Sequence, residues 1–89
     1  MMIILKTSKY DRERNKFVRN NIIRANALVK TLNKFAYNPT HPSLNLEKLS
    51  GTKLWTIRID KGNRIFFSWI DENTALFIDI GKHDKYRRY

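Results

Sequence analysis

Charged and apolar residues alternate in the second half of this chain, and the residues that could do chemistry lie there. Trp55, Ile57 and Ile59 are separated by Thr56, Arg58 and Asp60, a period of two that predicts a strand with one buried face. Ile65, Phe67 and Trp69 set the same face on a strand from Arg64 to Ile70. Leu76, Ile78 and Ile80 set it on a third from Thr74 to Ile80. The opposite face then carries Thr56, Arg58, Arg64, Phe66, Ser68 and Phe77, and the same parity continued past Gly81 adds His83. Two arginines, an imidazole and aromatic rings on one open sheet face suit RNA. Guanidinium groups meet phosphates, rings stack on splayed bases, and a histidine of ordinary pKa, about 6.5, exchanges protons near neutrality. The plainer reading is a solvated strand arginine and a surface histidine at a strand end. With no cysteine, two histidines and no convincing carboxylate grouping, a metal centre and thiol chemistry are both excluded, and no cofactor is expected.

Other elements must hold that face in place. Met1 to Leu5 is a short apolar run that predicts a first strand. Thr7 and Ser8 are candidate N-caps, with Asp11 three residues after Ser8 in the manner of a capping box, which predicts a helix over about 8–16. Val18, Ile22, Ala25, Val29, Leu32 and Ala36 recur at steps of three and four. Phe17, Leu28 and Phe35 widen the stripe, and Asn38-Pro39 ends this second helix. Leu44 and Leu46 suggest a further short strand before Ser50-Gly51. Lys61-Gly62-Asn63 and Asp71-Glu72-Asn73 are turns. The expected architecture is α+β: an N-terminal strand, a two-helix hairpin, then an antiparallel three- to four-stranded meander with the helices on one sheet face. Trp55 and Trp69 fall in the core by parity, and His41, between Pro39 and Pro42, reads as loop packing. The tail from Lys82 to Tyr89 is too polar for core.

Eighty-nine residues predict a single domain, 1–89, with a thin core. Eighteen Lys and Arg against eight Asp and Glu leave a formal charge of +10. Such an imbalance attracts polyanions through phosphate contacts and counterion release, so nucleic acid is the first partner to expect and an acidic protein the second. The basic residues are dispersed, Arg12, Lys16, Arg19, Arg24, Lys30 and Lys34 along the helices among them, so a membrane surface is disfavoured. The apolar start is too short for a signal peptide, and no run approaches a membrane span. A reducing, cytoplasmic compartment is expected.

Three segments together resemble a known family. They are Asn38-Pro-Thr-His-Pro-Ser-Leu followed by Leu49-Ser50-Gly51; Trp55 with Arg58-Ile-Asp-Lys-Gly-Asn-Arg-Ile-Phe-Phe67; and Asp79-Ile-Gly-Lys-His-Asp-Lys-Tyr-Arg87. Their order and spacing, over about half the chain, resemble the RelE/ParE toxin superfamily, and within it the RelE/StbE-type toxins of type II toxin–antitoxin modules. The resemblance implies a metal-independent endoribonuclease, an mRNA interferase that inhibits translation, usually by cutting in the ribosomal A site. It also implies a cognate acidic antitoxin. In that chemistry the RNA 2′-hydroxyl attacks the adjacent phosphate, one protein group takes its proton, and another protonates the leaving 5′-oxygen.

Carried over by residue, Arg64 matches the strand arginine that holds the scissile phosphate, and Arg58 a basic position of the preceding strand. His83 falls where some members have histidine and others arginine, and Lys82 matches a lysine of one branch. Tyr86 fits a shortened His-Asp-x-x-Tyr-Arg tail, while Tyr89 has the spacing of the arginine-bearing branch, so either can be the tail tyrosine. The resemblance therefore gives Arg64, His83 and Tyr86 as catalytic, and Arg58, Lys82, Arg87 and Tyr89 as substrate-binding. Glu47 lies near the base of the histidine-bearing branch but out of register once Leu49-Ser50-Gly51 is aligned. A gyrase-inhibiting toxin of the ParE type and a non-catalytic basic RNA-binding module are the alternatives.

Overall fold

A computed structural model describes all 89 residues. In chain order they form β1 (Ile3–Lys6), α1 (Ser8–Val18), α2 (Ile22–Tyr37), a 3-10 turn at Pro42–Leu44, β2 (Glu47–Lys48), β3 (Trp55–Arg58), β4 (Asn63–Asp71), β5 (Thr74–Lys82) and a 3-10 segment at His83–Arg88. The sheet has five strands in the order β1-β5-β4-β3-β2. The expected meander is there, antiparallel from β2 to β5, and β1 joins its far edge parallel to β5. The short strand expected near Leu44 and Leu46 is displaced to Glu47–Lys48, because Pro42 starts a 3-10 turn and Asn45 leaves it in the left-handed region (φ 46). No helix is long and apolar enough to cross a membrane.

Thr7 is the N-cap of α1: its Oγ accepts from the Tyr10 amide at 3.1 Å. That moves the cap one residue ahead of Ser8 and leaves no capping box with Asp11. The same hydroxyl donates to the Phe77 and Ile78 carbonyls (3.1 and 3.3 Å), tying the helix to the stretch of β5 just beyond β1.

The helix stripe differs from expectation. Asn20 is left-handed (φ 52) and Asn21 caps a new helix, so Val18 and Ile22 do not share one. Leu28, Thr31 and Phe35 face the sheet, while Ile22 and Val29 are 72% and 57% exposed. Both stripes recur at the helical period, and the large Phe35 ring decides which one turns inward. It packs edge-on to Phe67 (centroids 5.2 Å) and stacks on Trp69 (5.9 Å), while Tyr10 meets Phe77 at 5.3 Å. Ile57, Ile65, Ala75 and Ile80 complete this helix-facing side of the sheet.

One strand breaks the simple parity. Phe66 pairs with Asp79, but Phe67 pairs with Phe77, so Ile78 is an extra residue in β5. Before this bulge Ala75 and Phe77 point to the core, and after it Ile80 does. The bulge therefore overturns the inward assignment of Leu76 and Ile78 and the outward one of Phe77, which is fully buried among the core rings. The second face of the sheet is not open either. The polar tail folds back across it, Phe66 is fully buried, and the Tyr89 ring lies 5.9 Å from the Phe66 ring.

Candidate functional site

On that second face, β2, β3, β4 and the tail enclose a cleft of about 370 Å³, lined by Glu47, Lys48, Leu49, Ser50, Thr52, Thr56, Arg64, His83, Tyr86 and Tyr89. Arg64 forms its floor. Its guanidinium donates to Thr56 Oγ1 (3.1 Å) and to the Asn45 carbonyl (3.3 Å), and lies 3.7 Å from Glu47 Oε1. These contacts follow from register. Thr56 sits opposite both Glu47 on β2 and Phe66 on β4, so it shares a face with Arg64. The left-handed turn at Asn45 aims its carbonyl at the guanidinium, and the Asn45 side-chain amide donates to Glu47 Oε1 (3.0 Å). The Arg64 side chain is only 13% exposed, whereas that of Glu47 is 53% exposed. The arginine is thus fixed by neutral acceptors, and its one anionic partner is long and solvent-accessible, so a competing anion can displace it.

The tail supplies the opposite wall. The His83 amide donates to the Gly62 carbonyl (3.0 Å), which docks the start of the 3-10 segment on the β3–β4 turn. His83 and Tyr86 then meet edge to face, with ring centroids 5.7 Å apart. Both side chains line the cleft. Tyr89 is different. Its hydroxyl donates to Asp79 Oδ2 (2.7 Å) and accepts from Lys9 Nζ (2.7 Å). Burial, first, and the bond to Asp79 push the Tyr89 phenol up, while Lys9 pulls the other way. Of the two tail tyrosines, Tyr86 is the one not tied to Asp79.

The structure thus brings Arg64, His83, Tyr86 and Tyr89 to one cleft and leaves Arg58, Lys82 and Arg87 outside it. Arg58 is paired opposite Arg64, but its side chain is exposed and reaches only the Asp60 carbonyl (3.4 Å). Lys82 lines a neighbouring groove with Arg24, Lys61 and His83, a basic track leading from the cleft. Arg87 lies over the Tyr86 ring, 5.9 Å from its centroid. Glu47, set aside by alignment, belongs to the cleft. The cross-strand pairing of Glu47 with Thr56 overrides the register suggested by Leu49-Ser50-Gly51. Nowhere do three His, Cys, Asp or Glu side chains come together as a metal would require. His41 caps its 3-10 turn, accepting from the Ser43 amide (3.1 Å), which is the packing role expected of it.

No protein-family model matches the chain, and no curated protein matches it in sequence. Solved structures do match its shape. The YoeB/ParE toxin from Agrobacterium tumefaciens superposes with a TM-score of 0.75 at 15% identity, over 92% of this chain and 99% of that one. The YoeB–YefM complex from Staphylococcus aureus gives 0.72 at 19%, over 93% and 98%. YafQ from E. coli gives 0.72 at 10%, over 96% and 97%. With strand, two helices and sheet following the same plan over nearly the whole length, the chain has the fold of these toxins.

Proposed function

We propose that residues 1–89 act as one unit, the toxin of a toxin–antitoxin module, and that this toxin is an endoribonuclease that cuts translated mRNA in the cytoplasm. The observation that carries this reading is Arg64, sequestered at the floor of a cleft with Glu47 at 3.7 Å and with His83 and Tyr86 on the opposite wall. An RNA phosphate entering the cleft takes the place of the Glu47 carboxylate on the guanidinium. The freed carboxylate accepts the proton of the 2′-hydroxyl, whose oxygen attacks phosphorus. Arg64 balances the charge that builds on the phosphorane oxygens, and His83 or Tyr86 delivers a proton to the leaving 5′-oxygen. The products are a 2′,3′-cyclic phosphate and a 5′-hydroxyl. The basic track of Arg24, Lys61 and Lys82 beside His83 suits the flanking phosphates.

The solved neighbours support the partner as well as the fold, since one of them is a complex of YoeB with YefM. With a charge of +10, this chain calls for an acidic antitoxin that covers the cleft and neutralises Arg64. The test is mRNA cleavage by the purified chain with and without ribosomes. His83→Gln should lower the rate by about 10²–10⁴, the range of a positioned acid or base, and leave the fold intact. A wild-type chain that cuts no RNA but blocks DNA supercoiling would replace this reading with the gyrase-inhibitor one.

A further inference from the structure

Beside the cleft, on the same face of the sheet, lies a second charged cluster that the cleavage scheme does not use. Asp79 is fully buried between two isoleucines of β5, and the bulge at Ile78 turns it away from the core. Its Oδ1 accepts from Lys85 Nζ (3.0 Å) and from the Ile80 amide (2.8 Å). Its Oδ2 accepts from the Tyr89 hydroxyl (2.7 Å), with Lys9 Nζ at 3.5 Å. Lys85 also donates to Glu13 Oε1 (2.7 Å) and to the Ile80 carbonyl (2.9 Å). The backbone has been shaped around it. At Gly81 the φ is +153°, and a Cβ there would stand 2.8 Å from Lys85 Cε. Asp79 pairs with Phe66 and Gly81 with Arg64, so this cluster sits one pleat from the guanidinium.

We propose that Asp79 is a positioning residue that pins the tail at Lys85 and Tyr89 and thereby holds His83 and Tyr86 against Arg64. Apart from the Tyr86 and Tyr89 rings the tail has no apolar surface of its own, and the 3-10 segment has no buried residue. Its placement rests on directional bonds at three residues: His83 to the Gly62 carbonyl, Lys85 to Asp79, Glu13 and the Ile80 carbonyl, and Tyr89 to Asp79 and Lys9, with Asp79 the one group that holds two of them. A buried carboxylate with three donors is costly to leave half-paired, so loosening any one donor strains the rest. That Asp79 fixes the tail follows from the geometry alone; that this matters for RNA cleavage rests on the ribonuclease reading above.

Amide hydrogen exchange on the purified full chain separates the two. Asp79→Asn should speed exchange at His83 and Tyr89 by about tenfold or more, the equivalent of one lost charged hydrogen bond, and leave Ile57 and Ile65 unchanged. Tyr89→Phe and Lys85→Met should each give a smaller increase in the same segment. Should Asp79→Asn fail to fold, these two variants decide. Tail exchange at the wild-type rate in both overturns the anchor. In cleavage assays Asp79→Asn should lower kcat about tenfold with KM nearly unchanged, and Asp79→Glu should restore part of it. A loosened tail with unaltered kcat overturns the positioning role. A wild-type chain without any ribonuclease activity sinks the function above, and the exchange measurement still decides the anchor.

Discussion

The two faces of the sheet are built by opposite rules. The face toward the helices holds Ile57, Ile65, Phe67, Phe77 and Ile80 under Phe35 and Tyr10, where contacts are apolar and non-directional. The other face buries Thr56, Phe66 and Asp79 and floors its cleft with Arg64, and Thr56, Asp79 and Arg64 each have a directional partner there. The first face stabilises the fold by area removed from water and tolerates small shifts. The second contributes little net stability per bond, because each bond replaces one to water, but it sets where an arginine, an imidazole and a phenol stand. Stability and reactivity are thus housed 180° apart on the same strands, and a substitution should move one far more than the other.

The largest effect is expected on the helix-facing side. Phe67→Ala removes a ring that touches Phe35, Trp69 and Phe77 and should cost about 3–5 kcal/mol of unfolding free energy, read by denaturant titration. Arg64→Ala should cost less, about 1–2 kcal/mol by the same measurement, since it removes hydrogen bonds to Thr56 and the Asn45 carbonyl and one long ion pair to a half-exposed partner. A loss from Arg64→Ala as large as that from Phe67→Ala would erase the division between the faces.

The order reverses for activity. Arg64→Ala should lower mRNA cleavage about 10²–10³-fold, the usual loss for one group that stabilises transition-state charge. Arg58→Ala, at the paired position but outside the cleft, should lose far less. Equal losses from the two would mean that strand position, and not the cleft, selects the working arginine.

Acid should act on the second face before the first. Burial raises the proton affinity of Asp79, but hydrogen bonds from Tyr89 and Lys85 outweigh it and hold the carboxyl below its ordinary range. Glu13 is lowered chiefly by its hydrogen bonds from Lys85 and Lys16. Both folded carboxyls bind protons less tightly than in the unfolded chain. Their stabilisation is therefore present above the ordinary carboxylate range, near pH 4, and is lost as pH falls through the depressed folded values. Asp79→Asn should flatten the acid limb of stability against pH.

The apolar face was the more legible in the sequence, though with two errors of phase. Trp55, Ile57, Ile65, Phe67 and Ile80 turn inward as their alternation predicts. Phe77 does not follow, because one inserted residue reverses every neighbour beyond it, and a bulge leaves no mark in composition. On α2 two apolar stripes compete, and nothing but the volume of Phe35 in a finished core chooses between them. The cleft was half legible. Arg64 and His83 announce themselves by residue type and by the resemblance of their surroundings. Glu47 does not, because a two-residue strand has no periodicity to read, and its pairing with Thr56 depends on a left-handed Asn45. Asp79 carried one overlooked signal, a lone acid between Ile78 and Ile80 in an apolar strand. Nothing in the sequence says that Lys85 and Tyr89 satisfy it.

One polar group tests whether the helix-facing side really follows its own rule. Tyr10 is fully buried there, and its hydroxyl has no hydrogen-bond partner. Burial pushes its phenol up to about 12. Tyr89, on the other face, keeps its hydroxyl between Asp79 and Lys9. If the first face is stabilised by ring packing alone, Tyr10→Phe should retain the 5.3 Å edge-on contact with Phe77 and lose nothing. Stability at pH 7 should be unchanged or up to about 1 kcal/mol higher, because an unsatisfied buried hydroxyl is removed. The alkaline limb sharpens the comparison. The folded Tyr10 binds its proton more tightly than the unfolded chain does, so wild-type stability is full below about pH 10 and falls as pH rises towards 12. Subtracting the Tyr10→Phe curve isolates that loss from those of Lys9, Lys85 and Tyr89, which titrate nearby. The difference should open between about pH 10 and 12. A Tyr10→Phe protein that is less stable at neutral pH, with no difference opening in alkali, would mean that the hydroxyl is satisfied after all and that the helix-facing side also depends on a directional bond.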